Sequence, residues 1–210
     1  MHYLGFDLET GGLDKTKHSI MEAYFVIYDE NERFIEDLYL KMKPDDGVIV
    51  WEQEAIEITK IDPFKHAEDP DTLTYSQARE KLMVFLNKHK IKGKRSHYKP
   101  TGQNIEFDLG FIWEQLIPKE DWDKLVSKAV LDTYRIITFL KDTGSLPQEI
   151  GNLSSLAEYF GIPLLNAHGA KDDTIMAMNV YFALKNMQKM AKKDIASSAA
   201  YDDIFEIIEE

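Results

Sequence analysis

The stretch Tyr3-Leu4-Gly5-Phe6-Asp7-Leu8-Glu9-Thr10 carries two carboxylates two residues apart inside an otherwise apolar run. In a β-strand side chains alternate between faces. Leu4, Phe6 and Leu8 would then share one face, with Asp7 and Glu9 roughly 7 Å apart on the other. Carboxylates at the end of a buried strand need water, a basic partner or a cation, and hard oxygen donors suit a cation. A solvated sheet edge is the plain alternative, so the meaning of this pair depends on the rest of the chain.

The chain has 210 residues, of which 44% are hydrophobic, enough for one sizeable core or one domain with an appendage. It has no cysteine, which excludes a disulfide framework and a thiolate zinc site and leaves oxygen ligands and imidazole for any metal. No stretch approaches the unbroken apolar length of a membrane span, and the first strand begins at the first residues, so a cytoplasmic location is expected. The net charge of −12 argues against gripping a polyanion by bulk attraction. A local basic patch or bound cations would be needed instead.

Ser19–Tyr28 and Arg33–Met42 are strand-like runs joined by Asp29-Glu30-Asn31-Glu32, a hairpin that extends the first strand into an antiparallel meander. Trp51–Ile61 has the spacing of a short helix, ended at Asp62-Pro63. Thr74–His89 reads as a full helix capped by Thr74, with Leu82, Phe85 and Leu86 on one side. Gly93–Gly102 should be a buried strand if the sheet continues, although it is polar and contains Pro100. Ile105, Leu109, Ile112 and Leu116 make a helix of Ile105–Ile117 that carries Asp108 near its start. Val130–Thr133 looks like a strand end entering a helix over Thr133–Lys141, and Asn152 caps another through Tyr159. A last helix starts after His168 and runs to about Lys189. Strands first and helices later predict an α/β or α+β domain with a mixed sheet.

Helix phase separates the two neighbouring acids of that last element. From Asp173, steps of three, four, seven, eleven and fourteen reach Met176, Ala177, Val180, Leu184 and Met187, which puts Asp173 on the core-facing stripe. Asp172 lies a hundred degrees away and can face water near the helix N-terminus. Asp7, Glu9, Asp108 and Asp173 are thus four acids at element ends beside apolar faces, with His168 five residues before the last.

Three short motifs in this order resemble the DEDDh family of 3′–5′ exonucleases: Phe6-Asp7-Leu8-Glu9-Thr10, Asn104-Ile105-Glu106-Phe107-Asp108 and His168-Gly169-Ala170-Lys171-Asp172-Asp173. Leu131-Asp132-Thr133 and the segment 153–162 support it, so the likeness spans roughly residues 1–188. It implies a ribonuclease H-like fold of class α/β, an antiparallel meander followed by parallel strands and flanked by helices. The expected division is an exonuclease domain over 1–190 and an acidic tail over 191–210. Gly11, Gln103 and Gly169 depart from the common family residues beside the motifs, which bears on substrate preference more than on the metal site.

By this resemblance Asp7, Glu9, Asp108 and Asp173 hold two divalent cations, Mg2+ or Mn2+, and His168 is the general base. Thr10, Gly11, Leu13 and Asn104 would receive the substrate. The implied activity is hydrolysis from the 3′ end of single-stranded nucleic acid, DNA ahead of RNA, with proofreading as one setting. An exoribonuclease or oligoribonucleotide-degrading enzyme of the same family is the alternative, and a non-catalytic nucleic-acid-binding module is less favoured because all five catalytic positions are filled.

Two further features lie outside the motifs. Lys88–Lys99 carries six Lys or Arg and no acid, either a contact for substrate phosphates or a solvated loop. Tyr98 and Trp113 nearby are read as core residues, with base stacking as the other option. In the tail, Tyr201, Ile204, Phe205 and Ile208 form one apolar stripe opposite Asp202, Asp203, Glu206 and Glu209. A helix this short needs a docking surface, its own domain or a polymerase or replication-protein partner.

Overall fold

The computed structural model describes residues 1–164 and 169–197, with the last seven described for their backbone only. Strands β1 (His2–Thr10), β2 (Ile20–Tyr28) and β3 (Phe34–Lys43) form the expected antiparallel meander. Helices α1 (Gln53–Thr59) and α2 (Pro63–Glu68) follow. The two-residue strand β4 (Leu73–Thr74) leads into α3 (Tyr75–Lys88), whose N-cap Thr74 forms a reciprocal capping box with Gln77. Next come β5 (Tyr98–Gly102), α4 (Glu106–Phe111) with a π-helical continuation at Ile112–Leu116, and α5 (Lys119–Trp122). The chain closes with β6 (Leu131–Asp132), α6 (Thr133–Asp142), α7 (Leu153–Tyr159) and α8 (Ala170–Ser197). The sheet order is β4-β3-β2-β1-β5-β6, with β5 parallel to β1 and to β6.

Alternation along β1 builds the two cores. Leu4, Phe6 and Leu8 pack with Leu82, Phe85 and Leu86 of α3 and with Leu109 and Ile112. On the opposite face Tyr3, Tyr24 and Val26 meet Met178 and Phe182 of α8. The other side of α8 buries Met176, Val180 and Leu184 against α6 and α7, the stripe that begins at Asp173. Helices therefore cover both faces of a mixed sheet.

Two local features differ from the sequence reading. Asp62-Pro63 does follow the first short helix, whose chain reversal comes at Lys60 with a left-handed φ of 60°. It also starts a second one, because Asp62 accepts from the Phe64 and Lys65 amides and proline is tolerated at the first helical position. Pro100 does lie in a central strand. Tyr98 turns its carbonyl away from β1 toward the Ser127 amide, and alternation aims residue 100 the same way. Its missing N–H faces the interval between the Tyr98–Val126 bridge and the Thr101–Leu131 pair, so no ladder bond is forfeited.

The basic stretch lies at the end of the sheet opposite the acidic motifs. It runs into the start of β5, where Tyr98 pairs with His2, five residues before Asp7. At about 3.3 Å per residue that is roughly 17 Å from the carboxylates. Lys88 pairs there with Glu36, and Tyr98 is fully buried with its hydroxyl donating to the Leu86 carbonyl at 2.6 Å. Trp113 packs partly buried against the core under the Lys119 ammonium. Helix α8 continues without a break past residue 190, where the domain boundary was expected. The amphipathic stripe at 201–208 falls outside the described residues.

Candidate active site

The acids converge at the C-terminal end of β1. One carboxylate oxygen from each of Asp7, Glu9 and Asp173 lies within 4.8 Å of the others. Strand alternation delivers the first two toward α8, and the first turn of α8 delivers the third. Asp172, on the next phase, lines a separate cavity with Glu22 and Tyr39.

Asp108 arrives from the edge. The β1–β5 ladder ends at the Gly5–Thr101 pair, which leaves the last part of β1 open on that side. Asp108, buried in the first turn of α4, accepts the Leu8 amide with Oδ1 at 3.0 Å and so clamps the strand between its two acids. Asn104 sets up this approach with a left-handed φ of 50°, a conformation asparagine tolerates, and its amide donates to Asp132 Oδ1 at 2.9 Å.

The electrostatics are those of crowded, buried carboxylates. Burial first, then Asp108, Glu9 and Asp173, push the Asp7 carboxyl well above the ordinary range. Burial, Asp173 and Glu22 raise Glu9 to about 7. Burial lifts Asp108 to about 8 even though backbone amides, Leu8 among them, work against it. Clustered carboxylates held this close favour either protons or a cation, and an all-oxygen donor set suits Mg2+ or Mn2+. On this chemistry the residues fit the divalent metal their motifs imply.

Two cavities flank the cage. One, of about 260 Å3, is walled by Glu9, Thr10, Gly12 and Leu13 of the first motif and its turn, by Ala55 and Ile58 of α1, and by Phe107 of the second motif. The other, of about 280 Å3, joins Asp7 and Asp173 to Gln103 and to Asn152 and Ser154 at the start of α7. Of the residues expected to receive substrate, Thr10 and Leu13 line the first cavity, whereas Gly11 and Asn104 line neither. Gly11 serves a close backbone crossing, since a Cβ there would stand 2.3 Å from the Val50 carbonyl oxygen. The turn after β1 is fixed from beneath by buried His18. Its Nδ1 accepts the Asp14 amide at 3.0 Å, which puts the proton on Nε2, and Nε2 lies 3.0 Å from Glu52 Oε1, short of an aligned hydrogen bond. The walls supplied by α1 were not signalled by any motif, whereas Phe107 stands inside the second motif and could have been anticipated. His168 lies outside the described residues, and Gly169 immediately follows it.

The sequence pattern of the RNase T-type exonucleases matches residues 4–181. The chain belongs to the DEDDh family of 3′–5′ exonucleases. None of the curated proteins matches it in sequence. Among solved structures, this exonuclease fold is similar to that of Escherichia coli exonuclease I in complex with a dT13 oligonucleotide. The TM-score is 0.71 at 17% identity, over 93% of this chain and 43% of that one. A moderately thermophilic exonuclease I from Methylocaldum szegediense gives 0.68 at 19% identity, over 99% of this chain and 45% of that one. E. coli exonuclease I bound to a dA16 oligonucleotide gives 0.72 at 17%, over 90% and 42%. At such identities the likeness is one of fold, and the chain spans less than half the length of these relatives. The shared fold is the ribonuclease H-like mixed sheet that the family resemblance implied, in agreement with the order of elements.

Proposed function

We propose that this exonuclease is a metal-dependent enzyme that removes nucleotides from the 3′ end of single-stranded DNA. The observation that carries the reading is the convergence of Asp7, Glu9 and Asp173 at one strand end, with Asp108 clamping that end and a cavity lined by Thr10, Leu13 and Phe107 beside it. Asp7, Glu9 and Asp173 would hold one cation and Asp7 with Asp108 a second. Bound there, two divalent ions supply charge neutralisation at the phosphate, an activated water and a stabilised leaving oxygen.

The chain's own residues do the rest. The first cavity admits one nucleoside, with Phe107 and Leu13 offering apolar contact to the base and Thr10 a polar edge near the sugar. Phosphate beyond that nucleoside would stand at the carboxylates, so cleavage releases one terminal nucleotide at a time. His168, five residues ahead of Asp173, is assigned as general base, since an imidazole is half-protonated near neutral pH and suits removal of a proton from an activated water. The exonuclease I structures with bound oligodeoxynucleotides support DNA as the substrate class. No described helix is long and apolar enough to cross a membrane. Proofreading, and a polymerase or replication-protein partner reached through residues 198–210, extend the same reading.

The test uses matched single strands of DNA and RNA carrying a 5′ label, with Mg2+, Mn2+ or EDTA. A ladder shortening from the 3′ end, faster on DNA and absent in EDTA, is expected. Faster degradation of RNA would transfer the reading to the exoribonuclease alternative, and shortening from the 5′ end would overturn it.

A further inference from the structure

The β1–β2 register places Glu22 directly opposite Glu9, on the same face of the sheet as Asp7. Side chains directly opposite on antiparallel strands stand about 4.5–5.5 Å apart at Cβ, and like charges there are destabilising. A basic partner would ordinarily relieve the clash. Lys41, the residue across from Glu22 on β3, feels its charge, but the ion pair it forms is with Asp69 Oδ2 at 2.8 Å. Lys171, in the cavity that Glu22 lines, lies over the Tyr24 ring at 5.7 Å. None of the ion pairs among the described residues includes Glu22. The Tyr39 hydroxyl lies within hydrogen-bonding range of Glu22, and a neutral donor orients a carboxylate without cancelling its charge.

Glu22 and Tyr39 also wall a cavity of about 310 Å3 that continues to Gly169, Ala170 and Asp172, beside the face on which Glu9 meets Asp173. That volume holds several waters at roughly 30 Å3 each. The fold therefore keeps an oriented, half-buried carboxylate next to a metal-cage acid, with wet space in front of it.

We propose that Glu22 is a positioning residue of the metal centre, an outer carboxylate that strengthens the hold of Glu9 on its cation and accepts hydrogen bonds from water around that cation. Tyr39 fixes its direction. The inference rests on the metal reading of the cage and adds to it a residue outside the three motifs.

Calorimetric titration of Mn2+ into the full chain tests it, comparing the unsubstituted protein with Glu22→Gln, Glu22→Asp, Tyr39→Phe and Asp7→Asn. Glu22→Gln is expected to weaken Mn2+ binding about tenfold or more, the range found when partners behind a metal ligand are removed. Glu22→Asp, which keeps the charge, recovers part of the loss, and Tyr39→Phe loses affinity in the same direction by less. In EDTA the melting temperature of Glu22→Gln rises, because the repulsion with Glu9 is gone. Wild-type affinity in Glu22→Gln would overturn the assignment, as would a lowered melting temperature in EDTA, which would make Glu22 a fold residue. Equal Mn2+ binding by the unsubstituted protein and Asp7→Asn would overturn the metal reading of the cage itself, and with it the role of Glu22.

Discussion

Replacing Glu9 by glutamine keeps the shape of the side chain and deletes one charge from the cage, which makes the cost of that charge measurable. In the metal-free protein the Glu9 carboxyl is raised from 4.5 to about 7, by burial first and then by Asp173 and Glu22. A carboxyl that holds its proton more tightly when folded than when unfolded costs nothing below the unfolded value. As pH rises from 4.5 through about 7 the unfolded chain ionises it freely and the folded chain does not, so folding stability falls across that window. The difference corresponds to roughly 3 kcal/mol, or about 6–12 °C in melting temperature for a chain of this length. Thermal melts in EDTA from pH 5 to pH 9 should lie closest together for wild type and Glu9→Gln at the acid end and diverge to about that amount at pH 8, with the variant the more stable. Adding Mn2+ at pH 8 should raise the wild-type melting temperature and leave Glu9→Gln nearly unmoved, since a cation replaces the proton as the compensating charge. A difference between the two proteins that is constant with pH, or a variant less stable at pH 8, would refute the account of Glu9 as a carboxyl held under burial and repulsion.

Asp173→Ala should reduce nuclease activity by more than a hundredfold while Asp172→Ala stays within about twofold, as single-turnover assays on a labelled strand would register; the reverse order would mean that helix phase selected the wrong neighbour. His168→Ala should lower turnover about a hundredfold or more with Mn2+ affinity unchanged by calorimetry, whereas loss of metal binding would make His168 a ligand. Because α8 runs through Ser197, a tail truncation belongs after that residue. Deleting residues 198–210 should leave melting temperature and activity on short single strands unchanged while abolishing pull-down of a replication-protein partner, and a marked drop in melting temperature would assign the segment to the domain's own core.

What could be read in the sequence followed from periodicity, and what could not depended on partners distant in the chain. Alternation put Asp7 and Glu9 opposite Leu4, Phe6 and Leu8, and the 3.6-residue period chose Asp173 over Asp172, because both patterns are enforced locally by which side is buried. Caps at Thr74 and Asn152 were legible for the same reason, as their side chains satisfy amides three residues away. The helix at Pro63 was equally local and was missed because proline was taken only as a stop, although an aspartate before it is a start signal. The fate of Lys88–Lys99 needed topology: a stretch adjacent in sequence to the second motif enters a parallel strand at its far end, so nearness along the chain became distance across the sheet. Strand β4, two residues long, exists only through its pairing with Met42 and Lys43 and has no pattern of its own.

Register explains why Glu22 stayed invisible while Glu9 did not. Each is an acid inside an apolar strand, Leu8-Glu9-Thr10 and Met21-Glu22-Ala23, and neither flank distinguishes a ligand from a surface residue. Glu9 gained meaning from Asp7 two residues before it, a relation the sequence displays. Glu22 gains meaning only when the hairpin sets it opposite Glu9 and when Lys41, across from it on β3, gives its ion pair to Asp69. An acid facing another acid raises the energy of the empty site, and that same crowding of negative charge is what a cation would find there.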